Sequence, residues 1–444
     1  MKQVVRTLGR LLAMALLVAG CGAGAAVSES QTAPPTATPG AQSVTLMVWD
    51  QFRRDTERAV VDQLNAEFEA AHPGVKIQRV VKSFDDLRVT VASALQDLNG
   101  PDVVQVNQGS DMRIAVQAGL LLSLTPYLPQ YRWDERFSAS ILARNSFSGD
   151  GYQFGTGNLY GLSPTAEVVG VYYNKDKFRD LGLTVPRTFA EFEALLSKAR
   201  EAGETPIEFG NRDPWPGIPV FSAIEHVLLP DRSWLDEFVY GQGSTSFDIP
   251  ENLQAAAKLQ QWVQSGYFTE GFHDIGYEDS WRRFARGEGL MMLTGSWLSA
   301  DIVRTGGERF GFFLLPPPRQ PGHWLAIGGV GVPFCIRNGT RHADLAAEYL
   351  DWMVSPRAGE LWLAKGVLPA VPVHASRIPS GTLLGDVVSA YEAMSVTDGV
   401  GQYIDWAGPT LYDRLGAAIR NLMALEVSPE ETVAAIQAEY ARRH

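Results

Sequence analysis

The chain has 444 residues, 45% of them hydrophobic, which is enough to bury one large core or two medium ones, and we expect two lobes. Its formal net charge of −12 counts against nucleic-acid or polyphosphate partners, which need a basic surface. Only two cysteines are present, Cys21 and Cys335, so the hydrophobic core rather than disulfides must hold the fold.

The first 20 residues predict an export signal. Three basic residues precede an apolar run over residues 11–18, and small residues follow. The residues at positions 18–21, Val-Ala-Gly-Cys, resemble the end of a bacterial lipoprotein signal, which implies that Cys21 becomes the acylated first residue of the mature chain. A short transmembrane anchor is the alternative, but the run is too short to span a bilayer comfortably. We therefore expect a lipid-anchored protein of the cell envelope, outside the cytoplasmic membrane.

Residues 22–42 are small, polar and rich in proline, which is typical of a disordered tether. Beyond them no apolar run approaches the roughly 20 residues that a membrane span requires. We expect the body of the protein to be soluble and ordered from Val44.

The first part of the body alternates strand and helix patterns. The predicted elements are a strand over residues 44–49 ending at Asp50, a helix with Val60, Leu64 and Phe68 on one face, a strand over 75–80, a helix with Leu87, Val91, Leu95 and Leu98 on one face, and a strand over 102–106. This order predicts a parallel sheet with crossover helices, and hence the α/β class.

The alternation resumes after Pro164. The predicted elements are a strand over residues 168–173, a helix with a capping box from Thr188 to Glu191, helices over 252–265 and 343–353, and a last helix with a capping box that begins at Ser428. The pattern predicts a second α/β lobe.

Catalytic motifs are missing from the sequence. It contains no Gly-x-Ser-x-Gly elbow, no phosphate-binding loop and no His-Glu-x-x-His pair, and its seven histidines are scattered. The glycine-rich residues 328–331 do not match the dinucleotide-binding pattern. We therefore predict no enzyme activity, no cofactor and no metal site.

Aromatic and amide residues stand out at predicted strand ends and in loops. Asp50 and Gln51 close the first strand and Asn107 and Gln108 the third, while Trp215, Trp297 and Trp406 lie in glycine-containing loops. Ligands of open α/β sheets collect outside the carboxyl ends of the strands. An indole can stack on the apolar face of a pyranose while amides and carboxylates bind its hydroxyl rim, so this set favours a sugar site. Each tryptophan could equally serve core packing.

A series of distinct short segments is spread along residues 43–440. They are 44–49 (VTLMVW), 101–104 (PDVV), 118–121 (AGLL), 124–127 (LTPY), 172–176 (YYNKD), 186–191 (PRTFAE), 284–297 (FARGEGLMMLTGSW) and 315–317 (LPP), which leads to the pair Gly328 and Gly329. In this order, behind a lipoprotein signal, they resemble the extracellular solute-binding proteins of ABC importers, the family with maltose-, glycerol-phosphate- and oligosaccharide-binding members.

The resemblance implies a two-lobe periplasmic-binding-protein-like fold of type II, with hinge strands between the lobes. Lobe one is expected at residues 43–161 and 317–354 and lobe two at 162–316 and 355–444, with crossings near 162–164, 315–317 and Ser355. The implied ligand contacts are Asp50, Gln51, Asn107 and Gln108 from lobe one, and Glu167, Asp213, Trp215, Trp297 and Trp406 or Tyr412 from lobe two, together with Gly328 and Gly329. An aromatic platform at the third strand, present in maltodextrin binders, is replaced here by Val106 and Asn107.

The implied function is capture of a saccharide between the lobes and its delivery, unaltered, to the permease subunits of an ABC transporter, with the protein acting as a monomer. Three alternatives remain open. They are another cargo such as a glycerol phosphodiester, a polyamine or a metal chelate; a surface lipoprotein glycoside hydrolase; and a sensor that reports its ligand to a membrane receptor.

Overall fold

The computed structural model describes residues 43–241, 245–320, 322–372, 378, 380–408 and 410–442. The predicted signal, Cys21 and the predicted tether lie outside these residues. Two five-stranded sheets organise the described chain.

The first sheet has the strand order β2-β1-β3-β11-β6. Its strands are β1 (Val44–Asp50), β2 (Val75–Val81), β3 (Val103–Gln105), β6 (Gly161–Leu162) and β11 (Phe334–Ile336). β1 runs parallel to β2 and β3, whereas β11 is antiparallel to its neighbours β3 and β6. Helices α1 (Asp55–Ala71) and α2 (Phe84–Gln96) are the crossovers, which confirms the predicted alternation. Leu98 is a correction, because α2 ends before it and 86% of it is exposed.

The second sheet has the order β12-β10-β7-β8, and β9 also pairs with β7. Its strands are β7 (Ala166–Asn174), β8 (Met291–Gly295), β9 (Phe310–Phe313), β10 (Ala326–Val330) and β12 (Val400–Gly401). The predicted strand over 168–173 falls within β7, which is antiparallel to β8, β9 and β10. A separate two-stranded sheet joins β4 (Ser146–Phe147) and β5 (Asn158–Leu159).

Helices surround both sheets. Between β3 and β7 they are α3 (Ser110–Gln117), α4 (Leu128–Tyr131), α5 (Trp133–Arg136) and α6 (Ala139–Ala143); between β7 and β10, α7 (Lys175–Asp180), α8 (Phe189–Glu201), α9 (Gly217–Leu228), α10 (Ser233–Tyr240), α11 (Pro250–Gln264), α12 (Tyr277–Arg286) and α13 (Ser299–Gly306); and after β11, α14 (Ala343–Met353), α15 (Pro356–Ala364), α16 (Leu383–Val396), α17 (Leu411–Met423) and α18 (Pro429–Ala441). Short 3-10 helices span Thr125–Tyr127, Phe272–Asp274, Ser296–Leu298 and Ile404–Ala407.

The two predicted capping boxes differ in outcome. At α18 the Ser428 hydroxyl accepts the amide of Glu431 and the Glu431 carboxylate accepts the amide of Ser428, as predicted. At α8 the Thr188 hydroxyl accepts the amide of Glu191, but the Glu191 carboxylate accepts from Arg187 instead of Thr188. Both helices therefore begin where the sequence indicated, although only α18 has the reciprocal pair.

We call the first lobe the first sheet with β4, β5 and helices α1–α6, α14 and α15, and the second lobe the second sheet with α7–α13, α16–α18 and the short helices at 296–298 and 404–407. The core of the first lobe packs α1, α14 and α15 against β1 and includes Val48, Phe68, Tyr349 and Trp362. The second lobe buries Tyr172, Trp281 and Phe312 on one side of its sheet. A further core cluster contains residues of both lobes, so the lobes are packed together.

The chain passes between the lobes three times. The first crossing lies between β6 and β7, at residues 163–165. The second lies at residues 331–333, later than the expected 315–317, because β10 pairs with β7 and only β11 returns to the first sheet. The third follows α15, beyond the expected Ser355. The Trp362 ring packs 5.0 Å from Phe52 in the first lobe, and the next residues contact both cores, since Leu368 joins the core of the second lobe and Val371 that of the first.

Cys335 is buried and unpaired among the described residues, as predicted. Across those residues, no helix combines the length and the apolar composition needed to cross a bilayer.

Candidate functional site

A cavity of about 390 Å³ lies between the two lobes. The first lobe contributes Gln51 to Arg54 and Glu57 after β1, Ser83 to Asp85 after β2, and Asn107 and Gln108 after β3. These three segments follow the carboxyl ends of three neighbouring parallel strands, where side chains of an α/β sheet converge on one edge. The topology of the first sheet thus builds one wall of the cavity.

The opposite wall is aromatic. The Trp215 ring lies 4.3 Å from Tyr277 and 6.1 Å from Trp297, measured between ring centroids. The Trp297 indole donates a 2.6 Å hydrogen bond to the Tyr277 hydroxyl, and Asp213 accepts the Tyr277 backbone N–H. Because the strand end at β8 and the start of α12 are tied together in this way, the three rings form one preorganised apolar surface.

A second aromatic group closes the cavity near β12. Tyr403 and Trp406 pack with their ring centroids 5.4 Å apart, and Tyr412 also lines the cavity. The Tyr403 hydroxyl donates to Glu167 at 3.1 Å. Trp406 and Tyr412 are almost fully buried, so their cavity faces are the part of each ring that a ligand would meet.

Carboxylates are abundant among the lining groups. Burial raises the pKa of both Glu167 and Asp405 to about 7, and the bond from Tyr403 offsets part of this rise at Glu167. Burial also raises the pKa of Asp85, and the nearby charge of Asp213 adds to the rise. Buried carboxylate oxygens of this kind form stronger hydrogen bonds with ligand donors than exposed oxygens would.

Arg54 lines the cavity and links the two lobes. Its guanidinium forms ion pairs with Glu57 of the first lobe and, at 3.0 Å, with the buried Asp301 of the second lobe. It also donates to the backbone carbonyl of Trp297 at 3.3 Å. Arg54 is therefore committed to structure and positions Trp297.

Most of the predicted contacts meet at this cavity. Its lining includes Gln51, Asn107, Gln108, Glu167, Asp213, Trp215, Trp297 and Trp406, and also the alternative Tyr412. Gln108 is buried, and its amide donates to the carbonyls of Val330, the last residue of β10, and of Gly331, so it ties this wall to the chain that leaves the second sheet. Their roles as ligand contacts remain a prediction.

Three predicted contacts lie elsewhere. Asp50 is fully buried behind the cavity, where it accepts two hydrogen bonds from Arg79, at 2.6 and 2.7 Å, and one from the Phe52 amide. Gly328 and Gly329 lie inside β10, and Arg144 donates to the Gly328 carbonyl at 2.7 Å. Asp50 is engaged by a buried ion pair and the glycine pair by strand packing, and none of the three is among the described lining residues.

Several lining residues were not predicted from the sequence. They include Arg54, Glu57, Phe84, Asp85, Thr165, Tyr277, Glu278, Tyr403 and Asp405. Asp85 could have been found, because it follows β2 at the same sheet edge that indicated Asn107. Tyr403 and Asp405 neighbour Trp406 in sequence, whereas nothing in the pattern separates Arg54 from other arginines.

A second cavity, of about 620 Å³, lies apart from the aromatic walls. Its lining includes Asp55, Arg304 and Lys365, from α1, α13 and the end of α15. Among the described residues, no group of three or more His, Cys, Asp or Glu side chains is arranged to hold a metal ion.

The arrangement suits binding through stacking and hydrogen bonds. An indole that buries roughly 100 Å² of apolar ligand surface contributes about 2 kcal/mol, so two or three such contacts supply about 4 to 6 of the roughly 8 kcal/mol that micromolar affinity requires. Carboxylate and amide oxygens around these rings accept hydrogen bonds from hydroxyl or amino groups.

Comparison with known proteins gives a family match. A family model described as bacterial extracellular solute-binding protein matches residues 54–360. The multiple sugar-binding protein of Streptococcus mutans is 23% identical over 308 residues, which cover 68% of this chain and 69% of that protein. An ABC transporter extracellular-binding protein of Pyrococcus horikoshii is 23% identical over 66% of this chain and 64% of its own length. The sn-glycerol-3-phosphate-binding periplasmic protein of Shigella flexneri is 24% identical over 74% of this chain and 75% of that protein.

Solved structures share the fold at low identity. A protein studied for xylan utilization by Caldanaerobius polysaccharolyticus has a TM-score of 0.79 and 21% identity, over 89% of this chain and 100% of that one. A chitin oligosaccharide binding protein has a TM-score of 0.78 and 21% identity, over 90% of this chain and 99% of that one. A solute-binding protein in complex with raffinose has a TM-score of 0.71 and 19% identity, over 90% and 99%.

Proposed function

The chain belongs to the family of bacterial extracellular solute-binding proteins and has its two-lobe periplasmic-binding-protein-like fold of type II, and on that premise we propose that it captures a saccharide between its lobes for an ABC transporter. The observation that carries the proposal is the shared cavity of Trp215, Trp297 and Trp406, which the two lobes enclose together. Its contacts would be the stacking rings of the second lobe and the amides and carboxylates of both lobes.

Relatives of known ligand support the saccharide class. The multiple sugar-binding protein and the structures associated with xylan, chitin oligosaccharide and raffinose share the family or the fold. A glycerol phosphodiester is less well supported, because a phosphate calls for free arginine or lysine in the cavity. Arg53 and Arg54 are the cationic residues among the described lining groups, and Arg54 is already paired with carboxylates.

We also propose how the protein works. Its lobes would comprise residues 43–162 with 334–367, and 166–330 with 368–442. They exchange between open and closed arrangements, and a ligand that contacts both lobes favours the closed one, which docks on the permease. The ligand leaves unaltered, because the role is transport and not turnover. The protein acts as a monomer outside the cytoplasm, with Cys21 carrying the lipid anchor.

A thermal-shift screen against neutral oligosaccharides, amino-sugar oligosaccharides, polyols and glycerol phosphodiesters tests the ligand class. We expect stabilisation by at least one saccharide, because a ligand that binds only the folded state raises its stability. Stabilisation by a phosphodiester alone would contradict the proposal. For the anchor, a Cys21→Ala variant should move from the membrane fraction to the soluble fraction, and an unchanged distribution would exclude acylation at Cys21.

A further inference from the structure

Carboxylates outnumber cations in the lining of the cavity. The inference drawn from this rests on the proposed function, because it specifies the class of saccharide. Six carboxylates line the cavity, namely Glu57, Asp85, Glu167, Asp213, Glu278 and Asp405, against two guanidinium groups. Arg54 is shared by Glu57, Asp301 and Glu278, Glu278 also pairs with Arg282, and Arg53 is exposed. The other four lining carboxylates, Asp85, Glu167, Asp213 and Asp405, form no ion pair among the described residues.

Two of these carboxylates line the cavity from opposite lobes. Asp85 begins α2 in the first lobe, and Asp213 lies in the second lobe close enough for its charge to act on Asp85. Arg88 is the cation within electrostatic range of Asp85, but it is paired with Asp111 and Asp413. Closure of the lobes brings like charges together, so a cation between them would favour the closed form.

Two further lining carboxylates, Glu167 and Asp405, both lie near Tyr403. Glu167 accepts the hydrogen bond of that hydroxyl, and Asp405 lies within electrostatic range of it. Asp405 is only 4% exposed, lines the cavity and has its own backbone amide as its hydrogen-bond donor. The cation within electrostatic range of Asp405 is Arg88, which is already paired with Asp111 and Asp413. Arg144 is the guanidinium near Glu167, but its N–H groups donate to the carbonyls of Gly328, Val400 and Gly401. A buried carboxylate without a cationic partner is costly unless a ligand supplies one.

We propose that the ligand is a basic saccharide, an oligosaccharide whose rings carry protonated amino groups. Its ammonium groups would lie near Asp85 and Asp213 and near the two carboxylates beside Tyr403, while its ring faces stack on Trp215 and Trp297. An ammonium group is also attracted to the face of an aromatic ring, so the same walls favour this charge. The net charge of −12 steers such a ligand towards the protein.

Calorimetric titration with matched ligands tests the inference. The β-1,4-linked trimer of glucosamine and its N-acetylated counterpart differ only in charged amine against neutral acetamide, and maltotriose and spermidine complete the set. We expect the glucosamine trimer to bind at least about tenfold more tightly than the N-acetylated trimer and maltotriose. A neutral saccharide that binds as tightly or more tightly would overturn the basic-saccharide inference and leave the proposed function intact. Binding of spermidine without any saccharide would overturn both.

Charge-neutralising variants locate the effect. In Asp405→Asn and in Asp85→Asn the preference for the amine over the acetamide should fall by about tenfold. Asp274→Asn, an exposed position outside the cavity, is the control and should keep the preference. Equal losses of affinity for both trimers in both cavity variants would show a positioning role and overturn the inference. Asp85 is partly exposed, so its variant tests the inference even if the more deeply buried Asp405→Asn fails to fold.

Discussion

Gly109 of the first lobe lies so close to Trp406 of the second that a Cβ atom on Gly109 would come 2.3 Å from the Cβ of Trp406. Gly109 directly follows Asn107 and Gln108, and Trp406 lines the same cavity. Only glycine permits this approach, both because of the missing side chain and because its φ is +65°. The packed arrangement of the lobes therefore depends on this glycine.

Gly109→Ala should keep the lobes apart and weaken saccharide binding by about tenfold or more, since a ligand then gains contacts with one lobe only. Gly119→Ala is the matched control, because Gly119 has a φ of +67° but open space around it. Titration calorimetry on both variants gives the comparison. Equal affinities would show that the contact with Trp406 does not control closure.

Strand ends are visible in the sequence, whereas contacts between distant segments are not. Asn107 was found because a strand end and the sheet-edge rule are both visible in the sequence. Asp50 satisfies the same rule but lies behind the cavity, because Arg79, 29 residues away, captures it. The sequence placed the second crossing at 315–317 instead of 331–333. The true position depends on the pairing of β10 with β7, which joins segments about 160 residues apart. Strand ends were thus predictable, while partners distant in sequence were not.

Trp297→Ala should reduce saccharide affinity by roughly 30-fold, because it removes about 2 kcal/mol of stacking. The loss of its bond to Tyr277 would loosen the rest of the aromatic wall. Trp234→Ala is the control, because that indole is also partly buried but bonds to Ser246 away from the cavity. Calorimetry on folded protein distinguishes the two, and similar losses in both would remove Trp297 from the site.

Asp301→Asn should lower the free energy of unfolding by about 3 kcal/mol, because it leaves the buried Arg54 with one partner fewer. Arg304→Gln removes a half-exposed partner of the same carboxylate and should change stability by less than about 1 kcal/mol. Denaturant unfolding of both variants measures the difference. If the two losses are alike, the Arg54–Asp301 link does not stabilise the lobe contact.

Glu167 predicts a pH dependence of stability. Burial raises its pKa to about 7 from 4.5, so between these values the folded protein holds a proton that the unfolded chain has released. Ionisation of Glu167 therefore lowers the free energy of unfolding progressively as pH rises through this window. Glu167→Gln, which can still accept from Tyr403, should be more stable than the parent at pH 8, by up to about 3 kcal/mol, and equal to it near pH 4.5.

Thermal melts across this range, with the exposed Glu392→Gln as control, measure the Glu167 effect. The control should run parallel to the parent at every pH. A constant difference between Glu167→Gln and the parent would contradict a titrating, buried carboxylate.

Asp50→Asn should separate stability from binding. Loss of the buried pair with Arg79 should lower the free energy of unfolding by about 3 to 5 kcal/mol, while saccharide affinity of the folded variant stays unchanged. Denaturant unfolding and calorimetry on one preparation test both statements. A stable variant with lost affinity would return Asp50 to the list of contacts.

The most direct test of the account is a crystal structure of the protein with the saccharide that stabilises it most in the thermal screen. We predict sugar rings stacked on Trp215 and Trp297, with hydrogen bonds to carboxylates of both lobes and with the glycosidic bonds intact. A saccharide located in the cavity lined by Asp55, Arg304 and Lys365, or present as cleaved products, would contradict the account.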